Sequence, residues 1–104
     1  MIESFEPEFR RHFEIVVWCL EHFFPYDHDS ALQIVEEFCD GYPESYQTDI
    51  CLRENPYDMA VKFYYYRTLM RGKSGAGLHF FAWRREHGYD QIPEEAFRYW
   101  RENS

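Results

Sequence analysis

Cys19 and His22 stand one helical turn apart, and His28 and Cys39 follow downstream. Thiolate and imidazole are the ligands zinc prefers, but structural zinc sites show paired short spacings at both ends. Only one half-pair exists here, so the sequence predicts no metal and no other cofactor. Cys19 reads instead as a small buried residue between rings. A second motif is the glycine-rich stretch Gly72-Lys73-Ser74-Gly75-Ala76-Gly77, which echoes the nucleotide P-loop. That loop needs a glycine five residues before its Gly-Lys pair and a strand in front of it. Position 67 is Arg, and a helical pattern precedes. The stretch therefore reads as a connection between helices. Nucleophilic catalysis would need a Gly-x-Ser-x-Gly turn on a sheet, and neither is present. Neighbouring carboxylates such as Glu36–Glu37 and Glu94–Glu95 point about 100° apart on a helix and cannot converge. The chain reads as non-catalytic, with a small metal- or nucleotide-binding enzyme on the histidines and Gly72–Gly77 as the third reading.

The richest constellation is acidic. Residues 1–58 carry 14 Asp and Glu against 3 Lys and Arg, whereas residues 59–104 carry 5 against 8. Glu36, Glu37, Asp40, Glu44, Asp49, Glu54 and Asp58 accumulate over two dozen positions, interspersed with Tyr42, Tyr46 and Tyr57. Tyrosine brings a large amphipathic surface to an interface at low entropy cost. Carboxylates around such anchors steer a basic partner and set its register. These ten residues are the candidate partner-binding site. A solvated helix face with ordinary turn tyrosines is the competing view.

The C-terminal half interleaves cations with rings. Arg71, Lys73, Trp83, Arg84, Arg98 and Arg101 form the alternative, nucleic-acid-binding set, with rings to stack bases and cations to hold phosphates. A modest basic stripe on a body of net charge −8 attracts a polyanion poorly. Direct nucleic-acid binding is accordingly the second reading.

These residues need elements to position them, and the periodicity is helical nearly throughout. Phe9, Phe13, Val16, Leu20 and Phe23 make one apolar face of a long first helix, with Trp18 and Ile15 off that stripe. Pro25 ends it. Asp29 or Ser30 would cap a second helix burying Ala31, Ile34, Val35 and Phe38. Residues 42–55 carry a weaker pattern, with Tyr46, Ile50 and Leu52 as a possible short helix. Asn55, Pro56 and Asp58 mark the clearest helix start in the chain. Met59, Ala60, Phe63, Tyr66 and Met70 then predict its buried face. Leu78, Phe81, Ala82 and Arg85 share one side of a fourth helix stopped at Gly88. Pro93 opens a fifth, with Ala96, Phe97 and Trp100 facing inward and Glu94 and Glu95 well placed against its dipole. No strand is predicted. The fold class is all-α, a single domain over residues 1–104 built as a compact bundle of four to five helices.

Length suits one domain with a core large enough to fold without staples. The odd count of 3 cysteines suits free thiols in a reducing compartment, and the acidic N-terminus does not resemble a secretory leader. The longest apolar run, Ile15–Leu20, is far too short to span a bilayer. A cytoplasmic protein with no membrane partner is expected. The 3 Trp, 9 Tyr and 10 Phe exceed what so small an interior encloses, which predicts a homodimer or another interface. Phe9, Phe13, Phe38, Phe63, Phe81 and Phe97 are assigned to the core, which leaves Tyr42, Tyr46 and Tyr57 among carboxylates and Trp83 and Tyr99 among arginines as the informative rings. The leading expectation is a small acidic protein that docks on a basic, nucleic-acid-handling protein and inhibits or regulates it. Immunity proteins of nuclease toxins, antitoxins and phage anti-defence inhibitors, bacterial or phage in origin, share this size and charge.

Overall fold

The computed structural model describes residues 7–40 and 55–103. Five helices lie among them: α1 Pro7–Phe23, α2 His28–Asp40, α3 Pro56–Tyr64, α4 Ala76–Glu86 and α5 Glu94–Asn103. Among the described residues there is no strand, so the fold is an all-α bundle, as the periodicity predicts. None of these helices is long and apolar enough to cross a membrane. The weak helical pattern of residues 42–55 lies almost wholly outside the described residues.

α1 is the central element and packs against α2, α3 and α5. Three neighbours explain why one stripe does not describe it. Phe13, Val16 and Leu20 are buried on that stripe, and Ile15, Val17 and Cys19 are buried beside it. Each such side chain removed from water contributes about 1.5–3 kcal/mol. α2 presents Ala31, Val35 and Cys39 to α1, with Ile34 and Phe38 half-buried beside them. Its cap is Asp27 rather than Asp29 or Ser30. The Asp27 carboxylate accepts from the Ser30 backbone N–H at 2.8 Å, which holds its carboxyl below the usual carboxylate range.

α3 starts as its sequence dictates. Asn55 Oδ1 accepts from the Asp58 backbone N–H at 2.8 Å, its amide donates to Asp58 Oδ2 at 2.7 Å, and Pro56 occupies the first turn. Met59, Ala60 and Phe63 are buried, but the predicted line fails at Tyr66. From Tyr65 to Leu69 the helix widens into a π turn, with Met70 N–H donating to the Tyr65 carbonyl at 2.8 Å. The wider turn shifts the phase of every residue after it. Tyr65, one turn after the buried Val61 and still hydrogen-bonded to its carbonyl, is completely buried, and Tyr66 is 40% exposed.

α4 ends at Gly88 (φ +76°), where Gly88 N–H reaches Arg85 O and Tyr89 N–H reaches Arg84 O, a Schellman stop. α5 lies on α1, with the Tyr99 ring stacked on Trp18 at 3.9 Å and His22 Nε2 2.7 Å from Glu95 Oε1. Tyr99 is thus part of the packing and not a surface ring.

Candidate functional site

α2 owes its acidic side to its own amphipathicity. With Ala31, Val35 and Cys39 turned inward, Glu37 and Asp40 are left exposed and Glu36 half-buried. The Gln33 side-chain amide donates to Glu37 Oε1 at 3.2 Å across one turn. Three of the ten predicted partner-binding residues are therefore grouped on one helix. Tyr42, Glu44, Tyr46, Asp49 and Glu54 lie outside the described residues.

Tyr57 requires a correction. It is only 5% exposed and packs against Phe23 (5.5 Å, edge-on) and Phe24 (6.3 Å). Burial pushes its phenol up to about 12. Two residues into α3, it faces the core because Ala60 and Val61 do, so it anchors the fold and not a partner. Asp58 is half-buried and occupied at the helix cap with Asn55.

The exposed apolar surface lies elsewhere. Leu78 is 86% exposed, Phe81 64% and Phe97 46%, so the assignment of Phe81 and Phe97 to the core does not hold. α4 carries two apolar lines and can bury only one. Phe80 and Trp83 take the inside, where Trp83 packs on Tyr64, Tyr65 and Tyr89, and Leu78 and Phe81 are left outside. In α5, Ala96, Tyr99 and Trp100 take the inner line, which turns Phe97 outward. The exposed rings Tyr66 and Phe81 are joined beneath the surface by the buried Phe80. Tyr66 stacks on Phe80 at 5.5 Å, Phe80 meets Phe81 at 5.4 Å, and the Arg84 guanidinium lies 5.3 Å from the Phe81 centroid.

The alternative cationic set is not one stripe. Arg84 lies over Phe80 and Phe81, Arg101 over Phe97 at 5.9 Å, and Arg98 pairs with Glu94 at 3.2 Å. Trp83 is half-buried among other rings, with Tyr65 and Phe80 packed against it. Arg71 and Lys73 are exposed in the connection before α4.

The cysteines and histidines are dispersed. His22 stacks on Trp18 and faces Glu95, whereas His28 bonds to Glu21. Cys19 and Cys39 are both buried, and burial pushes the Cys19 thiol up to about 12. A thiol held protonated is a poor nucleophile and a poor ligand. Among the described residues no three His, Cys, Asp or Glu side chains converge as a metal site requires.

Sequence reasoning missed the exposure of Tyr66, Leu78 and Phe81. The surplus of rings over interior volume was the available signal, and it could not say which rings. No known family model, curated protein sequence or solved structure matches this chain.

Proposed function

We propose that this chain is a non-catalytic binding protein that docks on a basic protein. In this reading the α2 carboxylates Glu36, Glu37 and Asp40 steer and register the partner, and the rings of the π turn and α4 supply the apolar contact. The observation that carries it is an acidic helix face beside exposed apolar side chains. Glu37 and Tyr66 line one cleft, Tyr66 is 40% exposed, and Leu78 and Phe81 stand exposed on α4. Acid beside exposed rings is the composition of a steered interface with apolar hot spots. Proteins with large basic surfaces are typically those that hold nucleic acid, and a chain of net charge −8 seated there blocks that surface.

The test is a pull-down from native lysate with the wild type, the Glu36→Lys/Glu37→Lys pair and the Leu78→Ser/Phe81→Ser pair as parallel baits. Basic proteins should be retained by the wild type alone and released as salt shortens the screening length to about 3 Å near 1 M. Equal retention by the charge-reversed bait, or none by the wild type at low salt, removes the proposal. Direct nucleic-acid binding is weaker on this geometry, since Trp83 is half-buried against other rings and Arg98 is paired. A gel shift with short single-stranded and duplex oligonucleotides should show no complex.

A further inference from the structure

Between α2 and the π turn lies a cleft of about 480 Å³. α2 contributes Ser30, Gln33 and Glu37, and the opposite side brings Tyr66, Arg67 and Arg71. That volume falls within the range of small-molecule sites.

The two arginines are its most telling feature. In a chain with 19 acidic residues against 11 Lys and Arg, neither Arg67 nor Arg71 has an ion pair among the described residues, whereas Arg10 and Arg98 do. Two guanidinium groups four residues apart supply charge and planar donor forks that match a phosphate dianion. The side that holds them is fixed in place. The Thr68 hydroxyl, which also lines the cleft, is hydrogen-bonded to the Tyr26 phenol, which ties the π turn to the α1–α2 connection. π turns occur frequently at functional sites, and a tethered turn leaves less backbone to order on binding.

The α2 side differs in chemistry. Ser30 and Gln33 offer neutral donors and acceptors, and Glu37 accepts only when ionised. A bare anion would meet the repulsion of Glu37 and leave most of the space to water. A longer molecule, anionic at one end and carrying amine or hydroxyl donors at the other, satisfies both sides. The Tyr66 ring, partly exposed in the cleft, adds a surface on which a flat heterocycle stacks.

We propose that this cleft is a binding site for a nucleoside monophosphate or an organic phosphate of similar size. Arg67 and Arg71 hold the phosphate, Tyr66 contacts the base, and Gln33 and Glu37 read its donors. The site shares Glu37 and Tyr66 with the proposed docking surface, and ligand binding is tested on the isolated chain, where no partner is present.

Calorimetric titration and thermal shift would use the four nucleoside 5′-monophosphates, ribose 5-phosphate, inorganic phosphate and citrate as probes. At least one nucleotide should bind and raise the melting temperature, with phosphate and citrate markedly weaker. Arg67→Gln and Arg71→Gln should each lose about tenfold in affinity, the scale of one charged hydrogen bond, with the melting temperature of the free protein unchanged. Glu37→Gln should alter the preference among bases while phosphate-dependent binding persists. The assignment is overturned if no nucleotide binds at millimolar concentration. It also falls if inorganic phosphate or citrate binds as tightly as the nucleotides, or if both arginine variants bind like the wild type.

Discussion

The Tyr65 hydroxyl donates a 2.7 Å hydrogen bond to the Ala76 carbonyl, joining the π turn to the first residue of α4. Tyr65 is completely buried and the bond part-buried, so it is made at a lower dielectric than that of bulk water. It also fixes where α4 begins relative to Tyr66, and hence how the exposed rings meet the cleft. Tyr65→Phe keeps the ring and removes only the hydroxyl. The expected cost is about 1–2 kcal/mol, read as a drop in the urea midpoint at unchanged slope. Amide exchange in the first turn of α4 should quicken more than exchange in α1.

His12 gives the fold an acid sensitivity. It is buried edge-on to Phe13 (5.4 Å between centroids), its Nε2 has no hydrogen-bond partner among the described residues, and burial pulls its pKa down to about 4. The unfolded chain takes up this proton near 6.5 and the folded chain near 4. Stability is therefore lost as pH falls from about 6.5 to about 4, by up to about 3 kcal/mol, and this contribution levels off below that. The depressed Asp27 carboxyl acts in the same direction but only below its ordinary value of 3.8. His12→Leu should be more stable than the wild type at neutral pH, because an orphaned polar atom is removed. Its advantage should widen through the pH 6.5–4 window in parallel denaturation series. A constant difference across that window would contradict the assignment.

The Trp18–Tyr99 stack, with an interplanar angle of 4°, docks α5 on α1 together with the His22–Glu95 contact. The rings carry more of that attachment than the His22–Glu95 contact, whose side chains are 40% and 58% exposed. Tyr99→Ala should cost about 2 kcal/mol and lower the melting temperature by about 10 °C. Glu95→Gln should cost under about 1 kcal/mol, the usual worth of an exposed pair. Thermal unfolding of the two variants side by side decides the ranking.

Cys19 and Cys39 should be silent in the folded protein. Both are buried, and the Cys19 thiol stays protonated far above neutral pH. Alkylation at neutral pH followed by peptide mapping should find neither position modified until denaturant is added. Fast labelling of Cys19 in native buffer would show that α1 opens locally at low cost.

Most of the fold was readable because most helices carry one unambiguous apolar line or a strong start signal. The Asn55-Pro56 start and the Gly88 stop lie where the residues place them, since cap chemistry is local. What was not readable depends on competition between faces. Tyr64, Tyr65 and Tyr66 are chemically alike, and Tyr65 goes inside because it lies one turn beyond Val61, a buried residue that the predicted line left out. In α4 the lines Phe80–Trp83 and Leu78–Phe81 are both apolar, and the larger indole wins the interior. Tyr57 among carboxylates resembled a surface anchor because the sequence does not show Phe23 and Phe24 arriving from α1. Of the candidate site, the acidic side of α2 was legible and the cleft was not, since Arg67 and Gln33 meet only through tertiary packing.

Leu78 and Phe81 separate stability from association. At 86% and 64% exposure they bury little, so Leu78→Ser and Phe81→Ser should each change stability by less than about 0.5 kcal/mol. Exposed apolar side chains one turn apart on one helix still favour contact with another surface. The doubly substituted chain should therefore melt as the wild type does yet associate less. Light scattering across a concentration series reads this directly. The wild type should rise above the monomer mass of 12.8 kDa as concentration increases, and the double variant should stay there. If the wild type is monomeric throughout, self-association is not what this surface is for. The pull-down with the same substitutions then decides whether it meets a different protein, because retention by the wild type and loss by the double variant would assign Leu78 and Phe81 to a heterologous contact.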